Sequence, residues 1–232
     1  MRGERDLDEV ARNLEVVRKR IADAAARVGR EAREIVLIAV SKGRPVEKIE
    51  EAVQAGQRVF GENRAQELRD KLERLDMEME WHFIGHLQRN KVNMVVGKAV
   101  LIHSVDSRRL LEAIATRAAG MGITQEILLQ LNVSGEESKY GMEEEEAPAI
   151  LEAALQLEAV EVRGLMTMAP LTIDEEDARP YFSRLRELRD ELSRSFSRAD
   201  LGTLSMGMTQ DFEVAVEEGA NMVRIGTAIF AT

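Results

Sequence analysis

The segment Glu34-Ile-Val-Leu-Ile-Ala-Val-Ser41 is a short unbroken apolar run rich in β-branched residues, with helical patterns on either side of it. A strand that is apolar at successive positions is covered on both faces, and covered strands are those of parallel sheets. The same alternation then continues to the C-terminus. The spacing predicts strands around Arg58 to Phe60, Glu80 to Ile84, Ala99 to His103, Glu126 to Val133, Val160 to Met168, Thr203 to Met206 and Met222 to Ile225. Between them it predicts helices around Pro45 to Ala55, Ala65 to Leu75, Gln88 to Val96, Ser107 to Ala119, Glu143 to Leu157, Asp174 to Phe196 and Asp211 to Glu218. An amphipathic helix opens the chain, with apolar residues at Leu7, Val10, Leu14, Val17, Ile21, Ala24 or Ala25, and Val28, and Gly29 as its stop. About eight strand-helix steps predict a (β/α)₈ TIM barrel with an extra N-terminal helix, in preference to an open doubly wound sheet, which usually stops nearer six strands.

The chain has 232 residues, enough for one large α/β domain or two small ones. No linker, repeat or low-complexity tract divides it, so residues 1–232 read as one domain. A net charge of -10 repels phosphodiester backbones and anionic lipid, which argues against nucleic-acid and membrane-surface roles. The N-terminus has no signal-peptide pattern, and no stretch is apolar enough to span a bilayer. With no cysteine, disulfides and thiolate chemistry are excluded, and a reducing, cytoplasmic setting is expected.

In such a barrel chemistry gathers at the C-terminal ends of the strands. The first strand ends in Ser41-Lys42, which sets a lysine at the mouth, where desolvation would free its amine as a nucleophile. A lysine snorkelling to solvent is the other reading. The turns after strands seven and eight, Ser205-Met206-Gly207 and Arg224-Ile225-Gly226-Thr227, occupy the loops where barrels commonly bind phosphate. Ordinary turn chemistry would explain either turn alone. Arg224, a strand-borne cation that cannot lose its proton, needs an acceptor in the mouth: a carboxylate, or the ring nitrogen of a cofactor.

Longer stretches carry a resemblance. Ala39-Val-Ser-Lys42, Phe60-Gly-Glu-Asn-Arg-Ala-Gln-Glu67, Trp81-His-Phe-Ile-Gly-His-Leu-Gln-Arg-Asn-Lys91, Gly164-Leu-Met166, Leu204-Ser-Met-Gly-Met208 and Met222-Val-Arg-Ile-Gly-Thr-Ala-Ile-Phe230 resemble the pyridoxal phosphate homeostasis protein family. These are single-domain relatives of the alanine racemase barrel domain. The resemblance implies a barrel holding pyridoxal 5′-phosphate (PLP), a vitamin B6 form, with Lys42 as the Schiff-base lysine. It also implies Arg224 at the pyridine nitrogen, Ser205, Gly226 and Thr227 at the phosphate, and Asn63 on the pocket wall near the cofactor. The chain departs from the family's usual pattern at Thr209, where serine is common, and at Gly43, where threonine is common; neither change removes a group that PLP needs.

An arginine that keeps its proton leaves the ring nitrogen unprotonated, which disfavours transaminase chemistry. Racemisation needs an acid/base on each face of the substrate carbon. The related alanine racemases draw a catalytic tyrosine from a further β-rich domain, whereas this sequence has just Tyr140 and Tyr181 and ends close to its last strand. A PLP carrier or buffer with no catalytic residues is therefore expected, with PLP-dependent apo-enzymes as recipients and a monomer as the working form. A PLP-dependent amino-acid racemase of low activity is the alternative. Lys139, in the polar loop after strand five, is either a helper in PLP transfer or a solvated lysine. A metal site on His82, His86, His103 and Asp106 is disfavoured, since His82 and His86 span a strand and its turn and His82 more naturally packs inside the barrel. A pure interaction protein would use the methionines Met166, Met168, Met206 and Met208 as an adaptable surface, a role for which core or pocket packing is the better account.

Overall fold

The computed structural model of the chain describes residues 2–136, 140–170 and 174–231, with side chains from residue 9 onward. Eight strands, β1 (Val36–Val40), β2 (Val59–Glu62), β3 (Glu80–Phe83), β4 (Leu101–Val105), β5 (Gln125–Gln130), β6 (Val160–Met166), β7 (Thr203–Ser205) and β8 (Met222–Ile225), pair in chain order as a closed barrel. All pairings are parallel, and β8 closes on β1 in the register Val36 to Met222 through Ala39 to Ile225. Closure excludes the open doubly wound sheet.

Helices α1 (Arg2–Arg27), α2 (Val46–Gln54), α3 (Ala65–Leu72), α4 (Val92–Val95), α5 (Arg108–Met121), α6 (Ala147–Ala154), α7 (Arg179–Ser195), α8 (Phe212–Glu217) and α9 (Thr227–Phe230) surround the strands. Several ends differ from the sequence reading. β4 runs on to Val105, and β5 stops at Gln130, beyond which Leu131 still donates to the Met166 carbonyl at 2.9 Å and also bridges Met142. The expected helices beginning at Glu143 and Asp174 each open with a tight 3₁₀ turn, at Glu144–Glu146 and Glu175–Ala178, and each continues with a proline in its first α-helical turn. There the missing N–H costs nothing. The short α9 lies in a stretch that periodicity did not mark, since four residues are too few to show a repeat.

The amphipathic pattern of α1 is realised in packing: Val10, Leu14, Val17, Ile21, Ala24 and Ala25 are all buried. Val28 is the exception at 43% exposure, because it follows the last helical residue and leaves the stripe. α1 packs on α8, α9 and α2, covering the seam where β8 meets β1. Ion pairs tie it there, Arg20 to Glu213 at 2.6 Å, and Arg27 to Glu213 at 2.8 Å and to Glu217 at 2.6 Å. None of the helices in the described residues is long and apolar enough to cross a membrane.

Alternation along the strands separates two cores. Leu37, Ala39, Phe60, Ile102, Ile127, Leu129 and Leu165 face the helices and join the main cluster. On the opposite faces, Leu101, Leu128 and Met166 form a small cluster with Met168 and Met222 against it. One step further along their strands, towards the C-terminal ends, β4 and β8 place His103 and Arg224 inside the barrel instead of further aliphatic residues. The apolar layer forms a floor, and a polar layer sits on top of it, below the mouth.

Candidate functional site

A cavity of about 900 Å³ opens at the C-terminal ends of the strands, walled by the segments after β1, β2, β3, β6, β7 and β8 and by Arg20 of α1. Five of the six expected site residues line it: Lys42, Asn63, Arg224, Gly226 and Thr227. Ser205 does not. It is fully buried at the end of β7, and its hydroxyl accepts a hydrogen bond from Arg224 Nη1 at 2.6 Å and lies 2.8 Å from His103 Nδ1. In this structure the Ser205 hydroxyl is turned to the interior, and the Met206-Gly207-Met208 turn that follows it reaches the cavity wall at Met208.

Lys42 follows buried Ser41 and is itself exposed on the rim. The desolvation expected for it is therefore not supplied by burial. What the fold supplies is a fixed position. Ser41 Oγ donates to Glu62 Oε1 at 2.7 Å, Lys71 Nζ donates to the Ser41 carbonyl at 2.7 Å and to Glu62, and the Gly43 N–H donates to Glu67 at 2.8 Å. Both neighbours of Lys42 are thus held by α3 and the end of β2. Glu62 is fully buried and the Lys71 side chain is 8% exposed. Neither was picked out from the sequence as a site-building residue. The available signal was Lys71 falling three residues after Leu68 and six after Ala65, on the buried stripe of α3.

Arg224 is buried, donates through Nη2 to the Thr167 carbonyl at 2.8 Å, and has no carboxylate within ion-pair distance among the described residues. Burial pushes its pKa down to about 10, with Asp211 opposing that shift from a distance. Asp211, also on the cavity wall, is committed to the Met208 N–H at 2.6 Å, and burial raises its carboxyl above the usual range. The guanidinium remains a cation at pH 7, and protein groups satisfy only part of its fork. Asn63 presents a second unfilled valence, since its Oδ1 is buried without a partner. Gly226 and Thr227 complete the wall, and the N–H groups opening α9 have no intrahelical acceptor.

Two glycines make this geometry possible. Gly207 holds φ +92, and a Cβ there would come 2.6 Å from Ala215 Cβ and 2.9 Å from Phe212 Cα. At Gly85 a Cβ would meet Asn63 backbone, 2.1 Å from its oxygen and 2.6 Å from its Cα. Backbone cannot yield as a flexible side chain does, so Gly85→Ala is expected to displace Asn63. It should lower stability by ~1–3 kcal/mol, the usual cost of overpacking, read from urea unfolding midpoints.

The three histidines do not converge. His82 and His103 are buried and share a 2.9 Å bond between Nδ1 and Nε2, whereas His86 pairs with Asp106 at 3.3 Å and stacks on Tyr140. Among the described residues no group of three or more histidine or carboxylate side chains is placed to hold a metal. Lys139 lies outside the described residues.

Residues 5–232 match the family model described as alanine racemase, N-terminal domain. The pyridoxal phosphate homeostasis protein of Aquifex aeolicus is 50% identical over 218 residues, 94% of this chain and 95% of that protein. The solved structure of PipY from Synechococcus elongatus with PLP bound has a TM-score of 0.86 and 35% identity, over 96% of this chain and 100% of that one. An alanine racemase of Clostridium difficile shares the fold at a TM-score of 0.76 and 12% identity, over 97% of this chain and 57% of that one. The chain belongs to the pyridoxal phosphate homeostasis protein family, built on the alanine racemase N-terminal-domain barrel.

Proposed function

We propose that this protein holds pyridoxal 5′-phosphate reversibly on Lys42 and passes it to apo-enzymes, keeping the supply of the cofactor steady. The observation that carries the reading is Arg224: a buried cation that no carboxylate among the described residues pairs with, on a cavity wall that also bears Lys42. Such a group calls for an acceptor from outside the protein. The relatives' names and the PLP-bound relative say which acceptor. The donor set fits: Lys42 Nζ for the aldehyde carbon, Arg224 for the ring nitrogen, Gly226 and Thr227 for the phosphate, and the buried Asn63 Oδ1 as a wall group with a free valence.

When bound, PLP supplies an electrophilic aldehyde and an electron-accepting ring. Arg224 would keep its own proton and donate to the ring nitrogen, which would leave that nitrogen unprotonated and the electron sink weak. The N–H groups at Gly226 and Thr227, with the Thr227 hydroxyl, would supply the donors for the phosphate dianion. Lys42, exposed on the rim, leaves the aldehyde end open to incoming amines. An open aldehyde end suits transfer better than turnover.

Neither tyrosine lines the cavity: Tyr140 stacks on His86, and Tyr181 packs against the core. The acidic groups that do line it are Asp174, Glu175 and Asp211. We read the chain as one domain, acting as a monomer in the cytoplasm and without turnover of its own. Protein loaded with PLP and freed of excess is expected to restore activity to a PLP-dependent apo-enzyme. Failure to take up PLP, or sustained Lys42-dependent racemisation of an amino acid, would overturn the reading.

A further inference from the structure

Arg224 is the end of a chain of hydrogen bonds that crosses the barrel interior. Its Nη1 donates to Ser205 Oγ at 2.6 Å, Ser205 Oγ lies 2.8 Å from His103 Nδ1, and His103 Nε2 lies 2.9 Å from His82 Nδ1. Four strands, β8, β7, β4 and β3, contribute one residue each. Sequence motifs bring none of the links together, since His103 and Ser205 are 102 residues apart.

Proton counting fixes the direction of every bond. A guanidinium only donates, so Ser205 Oγ is an acceptor there. The hydroxyl is fully buried, and among the described residues its own proton has one acceptor in reach, His103 Nδ1. His103 then carries its proton on Nε2 and donates to His82 Nδ1, and His82 in turn carries its proton on Nε2. Burial holds the His82 pKa down to about 4, and burial, His82 and the Arg224 charge hold His103 well below its usual value. Both rings are neutral at pH 7. The other charged group acting on Arg224, Asp211 at the start of α8, is held by the Met208 N–H. Below the relay, Leu101, Leu128 and Met166 form an apolar layer, and one step beyond Leu128 on β5 stands the neutral, buried Gln130.

We propose that His103 and His82 are positioning residues: through Ser205 they form a neutral, one-directional relay that orients and solvates the Arg224 cation without an anion, leaving its outward N–H groups for the cofactor's ring nitrogen. The inference rests on the PLP-holding reading and deepens it. A carboxylate in place of Ser205 would also hold the guanidinium, but by neutralising it. The relay turns acceptor ends towards the cation and takes up one side of the fork. Successive bonds aligned this way polarise one another.

The test has one arm that needs no PLP. The sequence contains 3 histidines, so ¹⁵N-resolved imidazole spectra of the PLP-free protein are readily assigned by single substitutions. His82 and His103 are expected as neutral Nε2–H tautomers from about pH 5 to 8, and Ser205→Ala is expected to change the His103 Nδ1 signal. A charged ring, or His103 protonated on Nδ1, overturns the relay whatever the protein binds. In the second arm, His103→Leu keeps bulk and removes both links, whereas His103→Gln keeps an acceptor and a donor. The leucine variant should raise the PLP dissociation constant about tenfold and shift the pH profile of the bound-cofactor absorbance, with glutamine restoring both to within about threefold. Equal binding and unshifted profiles in both variants overturn the positioning role. If native protein takes up no PLP although the tautomers are as expected, the PLP-holding reading fails, and with it the link from the relay to a ring nitrogen.

Discussion

Lys42→Ala protein mixed with PLP is expected to show the spectrum of free PLP, and borohydride followed by mass spectrometry should find no adduct. Native protein should gain one PLP mass, on the peptide containing Lys42. The loss is expected to be complete because, among the described residues, Lys42 is the one lysine on the cavity wall. The nearby Lys71 is buried under Ser41, with its donors engaged by the Ser41 carbonyl and Glu62. Arg224 and the Gly226-Thr227 turn are untouched by the substitution, so weak noncovalent retention should survive. Separate loss of the covalent and noncovalent parts is what a site assembled from several strand ends should give. An adduct of unchanged yield in Lys42→Ala would remove Lys42 from its role and return it to the solvated rim lysine it resembles by exposure alone.

Sequence reasoning reached the barrel because its signal is local. Each strand is a run such as Val36–Val40 whose burial on both faces is written in consecutive residues, and closure follows from counting such runs. The rim residues were legible for the same reason: a polar group immediately after an apolar run lies at a strand end, as with Lys42, Asn63 and Thr227. Direction was harder to read. Ser205 ends its strand as expected, but whether its hydroxyl meets the cavity or the interior depends on Arg224, 19 residues away, and on His103. Partnerships were harder still. Ser41 meets Glu62 across 21 residues and Arg224 meets Thr167 across 57, and barrel closure alone creates those distances. The spacing of Lys71 from Ala65 and Leu68 marks the buried stripe of α3, but its partners, the Ser41 carbonyl and Glu62, show only once the strand ends beneath it are placed. Polar groups inside the barrel carry no periodic mark, so the sequence shows where they stand without showing which of them touch.

The Lys71 and Glu62 pair should have the largest effect on stability. Glu62 is fully buried and accepts from Ser41 Oγ, Lys71 Nζ and, at 3.2 Å, the Asn63 N–H. Glu62→Ala removes the one close counter-charge of a buried ammonium, since Glu67 stands 3.8 Å away and is already engaged by the Gly43 N–H. Breaking a buried pair from one side costs ~3–5 kcal/mol, because the surviving charge keeps its desolvation penalty without its partner. That is a large fraction of the ~5–15 kcal/mol by which folded domains are stable. Replacing both charges by neutral groups of similar size avoids the stranded charge, so Glu62→Gln with Lys71→Met should be nearer native stability than Glu62→Ala. Urea unfolding of the two proteins beside native gives the order directly. The double variant should still load PLP more slowly, since the Ser41 carbonyl loses the ammonium that fixes the turn carrying Lys42. A Glu62→Ala protein with an unmoved midpoint would mean that water reaches this pair, and that Lys42 is positioned by the backbone of its turn alone.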